Sequence, residues 1–475
     1  MTPQKIIIYT RTVQVHFHIE LARRLSGEFP AAKVLFVSFF SHAVEIAQAA
    51  GFEAVHFPKA MQGVGASPIS EKRIAEIDIF CRKQYTGLNR MLQMERFLPA
   101  GREAVQDFML RHLTVLDELV EANTLSISSM YDHFFYVAAG MLAFEKGGAH
   151  FAFVGCGVPA GRVVGLRTPW ETWVNQASTE NAAGMLTQTA NEVKLPPEER
   201  IEYMKKAPTR GEMVGLKYRV MIARKLAAFR KMDNDSGSYF VDGKRHWLWN
   251  ALHWRFDAWL SRQASDPWDI HMSNELGKIT TPTVYLALHM EPEATILMYS
   301  PKWRDQLEIC RLVAEALPTG FLLLVKEHPR MLGKRAKGYY DAIKRFPNVR
   351  LVSTKVSSPD LIDKSVAVVS LAGNVTLEAR LRGKPAYCFG RPPFSRMATA
   401  CGEVALQELT SLDQCTPLEV SSEDSGWERW VHGTFYGQGG RSLFKDDIGQ
   451  MAWDDSPGNV EAHSNFILGS LRASK

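Results

Sequence analysis

FLLLVKEHPRMLGKR, residues 321–335, is the stretch on which the fold turns. Residues 321–324 are a short, unbroken apolar run, which reads as a strand covered on both faces and so belonging to a parallel sheet. Lys326, Glu327, His328, Pro329 and Arg330 follow at once. So much charge is poorly suited to a core. At the carboxyl end of a parallel strand, where open α/β sheets bind ligands, it suits the mouth of a site.

The same alternation runs outward from this point. TVYLAL (283–288) reads as a strand and 303–317 as a helix. After 321–327 come a helix (334–346), a strand (348–353), a helix from Ser358, a strand (366–371), a helix (374–383) and a strand (385–390). The first part of the chain alternates too, with strands at 5–10, 32–39 and 52–57 and helices at 15–29 and 42–51. It continues with helical stretches at 71–94 and 100–122 and strands at 124–130 and 150–155. Two runs of this kind predict an α/β protein with two doubly wound domains. The expected division is a first doubly wound domain at 1–175, a helical basic insertion at 176–270, a second doubly wound domain at 271–400 and a crossover segment at 401–475.

Composition excludes several classes. With 475 residues, 46% hydrophobic and 23% charged, the chain can bury more than one core. It has no eighteen-residue apolar run, and the start of the chain is too short in apolar residues for a secretory signal. The six cysteines, at 81, 156, 310, 388, 401 and 415, lack metal-ligand spacing and read as reduced cytosolic thiols. A net charge of +5 does not argue for nucleic acid. The positive excess is local: residues 200–262 hold fourteen Lys or Arg against six Asp or Glu. Within 217–232 it is arranged as an amphipathic helix, either a core helix with a solvated face or a surface for anionic lipid or glycan. Neither a GxxxxGK[ST] loop nor a GxGxxG turn is present, and HPRMLGK lacks the first glycine of a phosphate loop.

Three strand ends in the second half carry candidate chemistry. The first holds His289, Glu291 and Glu293, the second Lys326 to Arg335, and the third Gly373 with Glu378 in the helix beyond. The helix start at 374–376 presents backbone N–H groups suited to a phosphate, and Gly373 permits close approach. Lys326, His328, Arg330 and Arg335 are placed for charge-assisted bonds to it, with Pro329 fixing the chain direction after His328. Glu378 is placed to accept from sugar hydroxyls. Singly, each has a structural reading: a strand-end histidine bonded internally, Glu291 or Glu293 capping the next helix. Three such ends in one sheet favour a site.

These blocks carry a resemblance. LHMEPEA (288–294), Asp305-Gln306, VKEHPRMLGKR (325–335), PNVRL (347–351) and GNVTLEARLRGKPAYCFG (373–390) resemble the C-terminal half of the bacterial capsule polysaccharide biosynthesis family. That family includes transferases attaching keto-deoxy-octulosonate (Kdo) from its CMP-activated form. The resemblance implies a GT-B architecture, two Rossmann-like domains across a cleft, with a nucleotide sugar held by the second. A His-Pro pair at a strand end, also seen in transferases using CMP-sialic acid, favours a CMP-linked donor. It assigns phosphate or cytidine contacts to His328 and Pro329, phosphate to Gly373 and Asn374, and the ribose to Glu378. The chain departs from the family after Gly373. Small and hydroxyl residues are usual there, whereas Val375 narrows the turn, Asn374 is placed to cap the helix and Thr376 keeps a hydroxyl.

A transferase needs a base for the acceptor hydroxyl. The layout places it in the first domain, with Asp132 ahead of Glu20 and His18. Arg11, Arg162 and Arg167 are placed for an acidic group of acceptor or donor. The expected protein is a cytoplasmic glycosyltransferase that uses no metal and no cofactor beyond its nucleotide sugar. It would serve a glycan or glycolipid acceptor, with a possible peripheral contact at the inner membrane. Transfer of a sialic acid-like sugar or polyol phosphate, and a non-catalytic binding member of an export complex, stand as alternatives.

Overall fold

Alternate residues of the first strand serve different cores. In β1 (Lys5–Thr10), Ile7 and Tyr9 join one apolar cluster and Ile6 and Ile8 another, all fully buried. A strand sandwiched in this way needs helices on both sheet faces, the condition for a parallel sheet. The computed structural model describes residues 2–128, 133–155, 163–168, 267–412, 443–444, 451–452 and 455–473, apart from short gaps at 13, 67, 85, 96–97, 100, 292, 301, 332–334, 393 and 396–397. The expected basic insertion at 176–270, with its amphipathic 217–232 segment, lies almost wholly outside the described residues, as does most of 401–475.

The first sheet adds β2 (Lys33–Ser38), β3 (Glu53–His56), β4 (Thr124–Ser128), β5 (Ala149–Gly155) and β6 (Val163–Leu166). Its order is β3-β2-β1-β4-β5-β6, parallel except for the last pair. The second sheet comprises β7 (Thr283–Ala287), β8 (Leu322–Lys326), β9 (Val349–Val352), β10 (Ala367–Ser370), β11 (Ala386–Cys388) and β12 (Ala400–Cys401). Its order is β12-β11-β10-β7-β8-β9, all parallel. In each sheet the chain builds outward on one side and then crosses back to the other. The switch in strand order falls between β1 and β4 in the first and between β7 and β10 in the second, the crevice where doubly wound sheets take ligands. Two such Rossmann-like domains make a GT-B-like architecture.

Several helices differ from the periodicity for local reasons. The stretch 71–94 divides into Glu71–Gln84 and Leu88–Leu92, because Asp78 accepts the Leu88 N–H at 2.6 Å and restarts the chain after Gly87. The helix expected from 303 begins at Gln306, where Asp305 accepts from the N–H groups of Leu307 and Glu308. The helix expected at 334–346 is the shorter Tyr339–Lys344, entered from Gly338 at φ 81°. The helix Pro457–Ala473 returns to the first domain. Val460, Ile467 and Leu471 join the cluster of Ile6 and Ile8, and a side chain at Gly165 would collide with Phe466, 2.5 Å from its Cβ position.

The domains touch through segments that follow strand ends. Met298, Leu377 and Phe394, which follow β7, β10 and β11, share an apolar cluster with Phe134 and Phe135, which follow β4. Arg90 donates to the Leu297 carbonyl at 3.0 Å. The carboxyl edges of the two sheets therefore face each other.

Candidate functional site

The three strand ends singled out in the sequence belong to three adjacent strands, β10, β7 and β8, and open on one edge. His289 lies at the switch point after β7. Its Nδ1 is 3.1 Å from Glu293 and its Nε2 is 2.8 Å from the Ser370 hydroxyl at the end of β10. Ser370 Oγ also accepts the Gly373 N–H at 3.2 Å. A side chain at 373 would place Cβ 2.8 Å from that oxygen and 3.0 Å from the His289 ring. Glycine is thus needed here so that the imidazole can reach across the strand gap.

The loop after β7 is pinned by the other blocks. Gln306 accepts the His289 N–H at 2.6 Å and donates to the His289 carbonyl and to Glu291. Arg335 donates to the same carbonyl at 2.7 Å. The Arg335 side chain is 3% exposed and ion-pairs with Glu327, 0% exposed, at 2.7 Å and with Glu291 at 2.8 Å. Tyr340 and the His328 N–H also donate to Glu327. Burial alone would lower the Arg335 pKa, but the bonds and charge of Glu327 raise it overall.

Between these loops lies a cavity of about 490 Å³, lined by Glu291, Glu293, Ile296, Leu297, Arg304, Met331, Arg335, Ala336 and Tyr339. Its wall is also the domain boundary. Arg304 reaches Gln93 of the first domain through two long contacts of 3.5 Å. Burial lowers the Arg304 pKa, and its Nε is buried with no hydrogen-bond partner among the described residues.

Several expected ligands are used differently. Arg335 is committed to two carboxylates and is not open to a phosphate. Lys326 lies on the opposite sheet face, where its Nζ is 3.0 Å from Ser358 Oγ. Tyr285 approaches the same hydroxyl, and the charge of Glu378 acts on Tyr285, so Glu378 belongs to that side. Thr376 is buried, donates to the Gly373 carbonyl at 2.9 Å and touches Cys388, so its hydroxyl braces the turn. Asn374 begins the helix Val375–Leu381 with helical backbone angles and no side-chain cap. His328 stays half-buried and Pro329 exposed at the site edge, with Arg330 in the same turn, Pro329–Met331.

In the first domain, His18 does not face an acceptor. It is fully buried, 2.8 Å from the Thr10 hydroxyl and close to His463, and burial first and His463 second lower its pKa to about 3. Glu20 forms a partly exposed ion pair with Arg23. Arg11, after β1, donates to the Tyr136 hydroxyl at 3.1 Å. Arg167 is exposed, and Asp132 and Arg162 lie outside the described residues. Beside the gap at 129–132 sits a pair the sequence reading missed. Buried Glu95 contacts His133 Nδ1 at 2.9 Å and accepts the Phe134 N–H at 3.0 Å, capping the helix Phe134–Glu145. Only distance in sequence hid it.

Two Rossmann-like domains meeting at their carboxyl edges, with a cavity beside the switch point of the second, define the GT-B layout. Within it, residues 244–399 match the family described as capsule polysaccharide biosynthesis protein. No curated protein matches the chain. Among solved structures, a Thermosulfurimonas dismutans KpsC beta Kdo 2,7 transferase aligns at 12% identity and a TM-score of 0.35, covering 98% of this chain and 99% of its own. The beta Kdo 2,4 transferase of the same KpsC aligns at 16% identity and a TM-score of 0.28, over 68% and 86%. Anabaena Alr3699/HepE, solved with UDP-glucose, aligns at 12% identity and a TM-score of 0.28, over 99% of both chains.

Proposed function

We propose that this protein is a glycosyltransferase of capsule or surface polysaccharide synthesis. It transfers a sugar, Kdo or a related acidic sugar, from a CMP-linked donor at the second sheet's switch point to a glycan or glycolipid acceptor. The observation that carries the reading is the interlocking of the family-like blocks with the strand end beside the last: His289, Gln306, Glu327, Arg335 and Ser370, from four separate segments, bond to one another and shape one edge. Such bracing fixes loop positions before a ligand arrives, which lowers the cost of binding and orienting it.

In the reaction, the acceptor oxygen attacks the anomeric carbon while the bond from that carbon to the nucleotide phosphate breaks. The acceptor proton passes to a base of the first domain, with Asp132 the first candidate. The departing phosphate takes up negative charge that nearby cations stabilise. His328, at the exposed edge, is the candidate group for it. No metal enters this scheme, so a chelator should leave turnover unchanged. A glycolipid acceptor would bring the protein to the inner face of a membrane. Among the described residues no helix is long and apolar enough to cross one.

Thermal melts with CMP, CTP, UDP and GDP test the donor. A bound nucleotide raises the melting temperature by mass action, by about 2.7 kcal/mol of stability at a hundredfold excess over Kd. Cytidine nucleotides should stabilise more than the others. A panel of activated sugars then reads transfer. No response to cytidine and no transfer from any CMP-sugar would overturn the reading.

A further inference from the structure

Four charged side chains line the cavity, and three are committed to partners. Glu291 is held by Arg335 and Gln306, Arg335 by Glu291 and Glu327, and Glu293 by His289. Arg304 alone of these makes no ion pair among the described residues. Its contacts to Gln93 are at the limit of hydrogen-bond length, and its Nε is buried without a partner among the described residues. An arginine is charged at any physiological pH, and a desolvated guanidinium with open donors is an oxyanion site.

We propose that Arg304 is the oxyanion-binding residue of this cavity, holding a phosphate or a sugar carboxylate at the boundary between the domains. The proposal rests on the glycosyltransferase reading for its ligand and adds the contact that positions it. Glu291 and Glu293 line the same cavity, and carboxylates suit sugar hydroxyls as hydrogen-bond donors. The Gln93 contacts place the bound anion beside the first domain, where the acceptor would lie.

The test measures binding of CMP and of free Kdo, with glucose as the neutral control, by calorimetry on the full-length protein. Arg304→Gln should weaken one anionic probe by about 10- to 100-fold, the span of a lost charge-assisted bond. Arg304→Lys should recover part of it. Loss confined to CMP identifies the phosphate as the anion, and loss confined to Kdo identifies the carboxylate. Gln93→Ala keeps the charge and should bind as the wild type does. If the two variants lose affinity equally, Arg304 is a strut between domains and the proposal fails. It fails also if Arg304→Gln binds both probes normally, while the transferase reading then survives. If the wild type binds Kdo through Arg304 but no cytidine nucleotide, the CMP-donor reading falls and the anion site stands. Unchanged unliganded melting temperatures show that the variants are folded.

Discussion

His289 Nε2 and Ser370 Oγ lie 2.8 Å apart across the gap between β7 and β10, the point where strand order reverses. With Glu293 on Nδ1 and the Gly373 N–H on Ser370, the bond closes a chain of polar contacts over the mouth of the sheet. Gly373→Ala pushes a methyl into this contact and should cost about 1–3 kcal/mol, as overpacking does. Ser370→Ala leaves a buried imidazole nitrogen with one partner fewer and should cost about as much. Urea denaturation reads both. Should Gly373→Ala keep wild-type stability, the close approach of the ring is not what requires glycine.

Glu327 and Arg335 form a buried pair whose members also hold Tyr340, the His328 N–H and the His289 carbonyl. Removing Glu327 leaves the buried Arg335 charge with only the exposed Glu291 opposite it. Glu327→Ala is therefore expected to lose about 3–5 kcal/mol, more than a surface pair would. The comparison is Arg23 with Glu20, where Glu20→Ala should change stability by less than about 1 kcal/mol. Equal losses at the two sites would show that Glu327 is not electrostatically special.

His328 is half-buried at the site edge, so its truncation should separate chemistry from folding. His328→Ala is expected to keep the melting temperature within about 2 °C, as for mild surface substitutions. Transfer from the accepted donor should fall by about 100-fold or more, the range for a group acting on the transition state. The readout is kcat with saturating donor. Wild-type turnover removes the phosphate role.

Much of the architecture was legible because buried parallel strands are short apolar runs, and 5–10, 283–288, 321–327 and 366–371 stand out as such. The shared edge of the three strand ends followed from the same pattern. What each side chain does there was not legible. A charged residue at a strand end looks alike whether it meets ligand or neighbour, and Arg335, Lys326 and Thr376 all meet neighbours. Which face Lys326 takes depends on where the strand ends, a one-residue matter. Glu95 with His133, and Arg304 with Gln93, join positions far apart in sequence, which no local period reports.

Three buried histidines make stability depend on pH in a defined window. His18, His112 and His150 are all fully buried or nearly so, and burial lowers their pKa values to about 3, 4 and 3. His112 is packed among Phe39, Phe57 and Phe108, and His150 between Ser126 and Ser128. In the unfolded chain these rings titrate near the ordinary 6.5. Between that value and the folded ones the unfolded state binds more protons, so stability falls as pH falls. Each histidine contributes up to about 1.4 kcal/mol per pH unit. The window from pH 6.5 down to about 5.5 lies above most ordinary carboxylate titration, so there the histidines dominate the slope. Urea midpoints should drop steadily across it, and His112→Phe, which keeps a ring among rings, should make the slope shallower. A flat profile across that window would mean that these rings are protonated in the folded protein, contrary to their burial.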